Sequence, residues 1–253
     1  MHLLLIASLA LGISAPVFAQ SRETGFLNRT VEIRGTTSRY QVYVPQTYDP
    51  ARRWPVILAL HGAGERGSDS LIQTEVGLGS AIRRFVDRYP AIVAFPQTPT
   101  GERWTGAAGD VAMAALGRTL GEFSIDERRV YLTGLSMGGN GSWYLAWRHP
   151  DRWAAAVVIC GFLGAGPFPS FLPPDTADPA AAVAQRIRHI PIWVFHGDAD
   201  KVVPVTASRE MVAALQKAGA TVKYTELPGV GHNAWDPAYR DPELPAWLFG
   251  ISR

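Results

Sequence analysis

The stretch Arg129-Val130-Tyr131-Leu132-Thr133-Gly134-Leu135-Ser136-Met137-Gly138-Gly139-Asn140-Gly141 constrains the fold of this 253-residue chain more than any other. Val130 to Thr133 predicts a short buried strand, Gly134-x-Ser136-x-Gly138 follows at once, and Ser142 to Arg148 are helix-compatible. The serine at the apex of such a strand-turn-helix needs glycine two residues before and two residues after it. Larger side chains there would collide with the neighbouring strand or helix, and the serine itself sits in a strained backbone conformation. Its hydroxyl is thereby held up at the carboxyl end of the strand.

The remaining chain supplies the sheet that this unit needs. Phe26 to Ile33 and Ser38 to Val44 alternate in and out around Arg34-Gly35-Thr36-Thr37 and predict an antiparallel edge hairpin. Pro55 to Leu60 is a near-continuous apolar run, as expected of a parallel strand covered on both faces. Further strands are predicted at Ala91 to Phe95, Trp153 to Cys160, Pro191 to Phe195 and Thr221 to Leu227. Helices are predicted over Ser80 to Arg88, Ala107 to Phe123, Ala207 to Ala218 and Pro242 to Ile251. Strands alternating with helices imply an α/β fold: a mostly parallel twisted sheet with helices on both faces and ligands at the strands' carboxyl ends. Residues 161 to 180, rich in Gly and Pro, read as an irregular excursion, either a flap over the site or a plain surface loop.

With 47% hydrophobic and 18% charged residues, the chain suits one large domain. The 24 basic and 22 acidic residues are spread along it, so there is no basic stripe of the kind that nucleic-acid binding requires. Residues 1–19 lack Lys, Arg, Asp and Glu and carry an apolar run from Leu3 to about Ile13, with Val17-Phe18-Ala19 at the positions a signal peptidase reads. They are expected to be an export signal, leaving residues 20–253 as a single catalytic domain in the periplasm or outside the cell, with no stable membrane anchor. The alternative of an uncleaved anchor suffers from a run shorter than the roughly 20 residues that span a bilayer. Cys160 is the only cysteine, which excludes an intrachain disulfide and suits a buried small hydrophobe. Nothing in the sequence speaks to oligomeric state.

A serine hydroxyl becomes a nucleophile when a histidine removes its proton, and a carboxylate holds that histidine's tautomer. The strand ending at Phe195 runs into His196-Gly197-Asp198-Ala199-Asp200, which offers two carboxylates, and spacing alone does not choose between them. The strand ending at Leu227 runs into Pro228-Gly229-Val230-Gly231-His232. Serine, acid and histidine thus each fall just after a predicted strand, in the order Ser136, Asp200 (with Asp198 as its rival) and His232, the candidate catalytic set. His61 and His196 each precede glycine at a strand exit, where an imidazole commonly bonds to backbone. Two backbone amides are needed for the oxyanion: that of Met137, after the nucleophile, and one from the glycine-rich His61-Gly62-Ala63-Gly64, for which Ala63 is the candidate. Trp104 and Trp235, in loops at the carboxyl end of the sheet, are candidates either for substrate binding or for packing those loops onto the core.

Leu60-His61-Gly62-Ala63-Gly64-Glu65-Arg66-Gly67, Gly134-Leu135-Ser136-Met137-Gly138-Gly139, Pro150-Asp151-Arg152-Trp153, Phe195-His196-Gly197-Asp198-Ala199-Asp200 and Gly231-His232-Asn233-Ala234-Trp235 together resemble the α/β-hydrolase superfamily. More closely, they are similar to its secreted esterase and "predicted peptidase" group related to polyhydroxybutyrate depolymerases and feruloyl esterases. The resemblance implies ester hydrolysis with no cofactor or metal, through an acyl-enzyme on Ser136, and selects Asp200 over Asp198. Short-chain acyl, aryl or carbohydrate-linked esters, free or attached to a polymer, are the expected substrates. Two rivals remain on the sequence: a serine peptidase with the same triad, and a non-catalytic binding protein on a hydrolase scaffold.

Overall fold

The computed structural model describes residues 23–164, 170–172 and 175–253. The expected export signal and part of the 161–180 excursion lie outside them. In chain order the elements are β1 (Gly25–Ile33), β2 (Thr36–Val44), β3 (Trp54–Leu60), α1 (Leu78–Arg84), β4 (Ile92–Pro96), α2 (Ala107–Glu122) and β5 (Ile125–Leu135). Beyond them lie α3 (Met137–Arg148), β6 (Ala155–Ile159), α4 (Pro179–Ile187), β7 (Ile192–Gly197), α5 (Thr206–Lys217), β8 (Val222–Leu227), α6 (Trp235–Arg240) and α7 (Glu243–Phe249).

The strands form one sheet in the order β1-β2-β4-β3-β5-β6-β7-β8. β1 pairs with β2 and β2 with β4 antiparallel, while every pairing from β4 onward is parallel. The expected parallel sheet with an antiparallel edge hairpin is therefore present. Successive residues of each central strand point to opposite faces. Val56, Leu58 and Leu60 join Leu132, Val158 and Val194 under α2, α3, α4 and α5, packing on Leu116, Trp143, Val183 and Leu215. Ile57 and Ala59 join Val93, Tyr131, Val157 and Phe195 on the other face, against Ile82, Tyr239 and Leu248 of α1, α6 and α7. Both faces need apolar side chains, which is why these strands appear in the sequence as unbroken apolar runs.

Several boundaries differ from those read in the sequence. The β1–β2 connection is two residues rather than four: Arg34 and Gly35 have φ of +51° and +76°. That is the twist-matched hairpin turn, and it returns Thr36 and Thr37 to the ladder opposite Ile33 and Glu32. β5 begins at Ile125, earlier than expected, because Asp126 to Arg129 are charged and break the apolar run between Ile125 and Val130. The helix expected over Ser80 to Arg88 stops at Arg84, with a separate 3-10 turn over Val86–Arg88. Two helices have no counterpart among the sequence expectations. α4 starts where the Asp178 carboxylate accepts the Ala181 N–H at 2.9 Å, with Pro179 at its first position. α6 comes directly after the histidine loop, and Asn233 pins its start by donating to Asp236 at 2.9 Å.

Space around Gly35 is open, so Gly35→Ala meets only the cost of holding an L-residue at positive φ. Its urea midpoint is expected to fall by the equivalent of about 1 kcal/mol with an unchanged slope, whereas Gly35→Asn, which tolerates this conformation, should lie close to the wild type.

Candidate active site

Parallel pairing sets the carboxyl ends of the central strands side by side: Leu60 opposite Gly134, Leu135 opposite Ile159, and Ile159 opposite Phe195. The loops that leave these ends share one edge of the sheet. Ser136 sits at the turn between β5 and α3 with φ +53° and ψ −116°, a conformation that a non-glycine residue rarely adopts. The turn is held by two backbone bonds, Ser136 N–H to the Ile159 carbonyl (2.9 Å) and Asn140 N–H to the Ser136 carbonyl (3.0 Å). A β-carbon on Gly134 would run into the Gly138 carbonyl, and one on Gly138 into the Leu60 carbonyl. Both glycines are therefore required for close approach, and α3 begins at Met137, earlier than expected, despite three glycines in its first turns.

The Ser136 hydroxyl lies 2.9 Å from Nε2 of His232, whose Nδ1 lies 2.7 Å from Oδ2 of Asp200. A carboxylate only accepts, so Nδ1 carries the proton and Nε2 is left to accept from the serine. The Asp200 side chain is fully buried, and its oxygens are accounted for. Oδ1 accepts the N–H groups of Val202 (2.8 Å) and Val203 (3.0 Å), and Oδ2 also lies 3.2 Å from Nε2 of His196. Burial alone would raise the pKa of Asp200, but the bonds from His232, Val203 and Val202 outweigh it and hold the group below its usual value. Asp198 does not reach the histidine. It accepts the Gly229 N–H at 2.7 Å and ties the β7 loop to the β8 loop.

His196 does more than the backbone bonding expected of it. Its Nε2–H is shared between Asp200 and the Val203 carbonyl (3.0 Å), and its Nδ1 accepts from the Ser208 hydroxyl (2.7 Å) on α5. Burial lowers its pKa and keeps it neutral. No sequence spacing connects Ser208 to the site, because the link exists only once α5 packs on β7.

Side chains brace the loop after β3 at three carbonyls and one amide. Trp104 Nε1 donates to the His61 carbonyl (2.9 Å), His61 Nδ1 to the Gly62 carbonyl (2.6 Å), and Arg66 Nε to the Ala63 carbonyl (2.9 Å). Glu65 accepts the Gly62 N–H at 2.9 Å. The ring of His61 also accepts the Thr98 N–H at 3.0 Å, which fixes its neutral tautomer. Burial raises the pKa of Glu65 despite the Gly62 bond.

Trp104 corrects one expectation. It is 0% exposed, packs edge-on against His61 at 4.8 Å and does not line the cavity beside Ser136, so it braces the loop and cannot present its face to a substrate. Trp235 does line that cavity and stands edge-on to His232 at 5.4 Å.

The cavity beside Ser136 measures about 730 Å³ and is walled by Ala63, Met137, Phe162, Val203 and Trp235 among others. Phe162 and Gly164, at the start of the irregular excursion, belong to this wall, and Asn140 anchors the segment by donating to the Phe162 carbonyl (2.8 Å). Among the described residues, Cys160, Asp200 and His232 alone offer atoms close enough to share a metal, within 4.8 Å. Burial pushes the Cys160 thiol up and keeps it protonated, and both ring nitrogens of His232 already face protein oxygens. This donor set therefore suits proton transfer rather than metal ligation.

Comparison with known proteins places this geometry. A family described as "Putative esterase" matches residues 32–236. An uncharacterized secreted protein of Arthroderma benhamiae is 27% identical over 212 residues, 73% of this chain and 22% of its own length. Feruloyl esterase B of Neurospora crassa is 27% identical over 173 residues, 62% of this chain and 54% of its own. The crystal structure of a thermostable esterase superposes with a TM-score of 0.75 at 35% identity, covering 90% of this chain and 63% of that one. The chain thus spans between about a fifth and two thirds of the length of these relatives.

The neutral His61 makes the loop after β3 sensitive to acid. Burial lowers its pKa from 6.5 to about 4. As pH falls, the unfolded chain therefore takes up a proton before the folded chain does. Stability from the neutral ring is complete above about pH 6.5 and is lost toward pH 4, by up to about 3 kcal/mol. Urea unfolding of wild type and His61→Phe at both ends of this window is expected to show a shallower acid-side loss in the variant.

Proposed function

The chain belongs to this esterase family and shares the α/β-hydrolase fold, and from that premise we propose that it is a serine carboxylic-ester hydrolase working through an acyl-enzyme. The observation that carries the reading is the continuous hydrogen-bonded line Ser136–His232–Asp200 (2.9 and 2.7 Å), opening into a cavity at the carboxyl end of the sheet. In this reading His232 Nε2 takes the Ser136 proton as Oγ attacks the ester carbonyl. Asp200 stabilises the imidazolium, and the imidazolium then protonates the departing alcohol. Water, deprotonated by the same nitrogen, releases the acid and restores the serine.

The oxyanion is assigned to the amides of Met137 and Ala63. Met137 is the first residue of α3, where helix N–H groups have no internal acceptor and the helix dipole favours negative charge. In the loop after β3 the Gly62 N–H is occupied by Glu65, while those of Ala63 and Gly64 find no acceptor among the described residues outside their own short turn.

The apolar wall and Trp235 suit a short acyl or aryl group, and the name of the Neurospora relative favours aryl or carbohydrate-linked esters. Export is proposed on the leader-like residues 1–19 and on the secreted Arthroderma relative. Among the described residues no helix is long and apolar enough to cross a membrane.

Ser136→Ala is expected to lower turnover of p-nitrophenyl acetate by about 10⁴-fold or more and to abolish labelling by a fluorophosphonate, with the thermal midpoint nearly unchanged. Wild-type activity in this variant would remove Ser136 from the mechanism. Cleavage of a matched anilide as fast as the ester would make the protein a peptidase.

A further inference from the structure

We propose that the cavity beside Ser136 selects esters by charge, accepting uncharged and cationic substrates and rejecting those that carry a carboxylate, with Glu65 and Glu210 as the specificity-determining side chains. This rests on the esterase reading. Among the described residues, the ionisable ones lining the cavity apart from His232 are Glu65 and Glu210, and no Lys or Arg lines it. The chain as a whole carries 24 basic and 22 acidic residues, so the imbalance belongs to the site. The stretches 165–169 and 173–174 contain no Lys or Arg in their sequence.

The two carboxylates come from opposite flanks of the serine. Glu65 leaves the loop after β3, where the Gly62 N–H (2.9 Å) fixes it in place, and Glu210 projects from α5, beyond β7. The cations next to them in sequence do not line the cavity and are engaged with other partners: Arg66 donates to the Ala63 carbonyl, and Arg209 donates to Glu226 at 2.9 Å. Asp200 adds a third negative charge behind His232. A carboxylate entering this cavity meets like charge from both flanks and, among the described residues, no lining cation, a repulsive element of the kind that sets specificity alongside attraction. An alkyl, aryl, sugar or ammonium group meets no such barrier. The remaining wall, including Leu135, Phe162, Val203 and Trp235, offers it apolar contact.

The test compares matched pairs at about pH 8, where ordinary carboxylates are ionised, and at low ionic strength. On the acyl side the pair is p-nitrophenyl pentanoate and p-nitrophenyl hydrogen glutarate; on the alcohol side it is 3,3-dimethylbutyl butyrate and butyrylcholine. The expected result is a kcat/KM for the glutarate ester at least about tenfold below that for the pentanoate, with butyrylcholine at or above its neutral isostere. The glutarate gap should narrow in Glu210→Gln, further in Glu65→Gln/Glu210→Gln, and on adding salt. The ratio is the readout, so any loss common to both substrates cancels. Equal turnover of neutral and anionic esters, or a gap unmoved by the substitutions, would overturn the proposal. A parallel measurement needs no turnover: saturation-transfer NMR of hexyltrimethylammonium and heptanoate, with the ammonium expected to bind and the carboxylate not. If no ester is hydrolysed, the esterase reading fails, and this binding comparison still decides the charge preference, with equal binding of the two ions overturning it.

Discussion

The rest of the site depends on the contact between the first turn of α3 and the end of β3, where Gly138 lies against the backbone carbonyls of Leu60 and His61. This packing leaves no room for a side chain, and it has two effects at once. It holds Ser136 in a positive-φ conformation that an isolated chain would abandon at a gain of about 1–3 kcal/mol. It also brings the start of a helix, with its unpaired amides, beside the loop that carries Ala63. The proposed nucleophile and the proposed oxyanion donors are thus set by a single backbone approach, and the helix accepts glycine-rich first turns to obtain it.

Behind this contact the polar groups are arranged as a nested set. The Asp200 side chain is wholly buried, and two backbone amides and two imidazoles satisfy its oxygens. An unpaired carboxylate in that position would be costly, and here it stays ionised because each oxygen meets two donors. The loop after β3 obeys the same logic with neutral partners at His61 and Trp104 and a cation at Arg66, each closing one carbonyl.

Much of this was legible in the sequence because strand ends and glycines are local signals. The apolar runs at Pro55 to Leu60 and Pro191 to Phe195 named buried strands, and the loops that leave buried parallel strands must all emerge at one edge of the sheet. That rule is sufficient to bring Ser136, Asp200 and His232 together from three separate loops. The burial of Trp104 was not legible. Its loop is polar and its position near the sheet's edge is shared with Trp235, and only the packing of α2 and α3 around it separates a bracing indole from one that lines a cavity. Ser208 escaped for the same reason, since its bond to His196 spans two elements whose contact no local pattern encodes. α4 did leave a signal, Asp178 followed by Pro179, but it stands at the end of a Gly/Pro-rich stretch whose composition masks a helix start.

Ser136 and His232 are 96 residues apart in sequence and His232 and Asp200 are 32, and the strands that present them are β5, β7 and β8 of an eight-stranded sheet. Parallel pairings of this kind are intrinsically slow to form, because a long loop must close before any contact rewards it. β8 lies at the far edge of the sheet and its loop supplies the histidine, so the hydrogen bond from Ser136 to His232 depends on that edge strand being in place. A chain with β5 formed but β8 absent would hold Ser136 without His232, so the proposed chemistry requires the sheet out to its last strand.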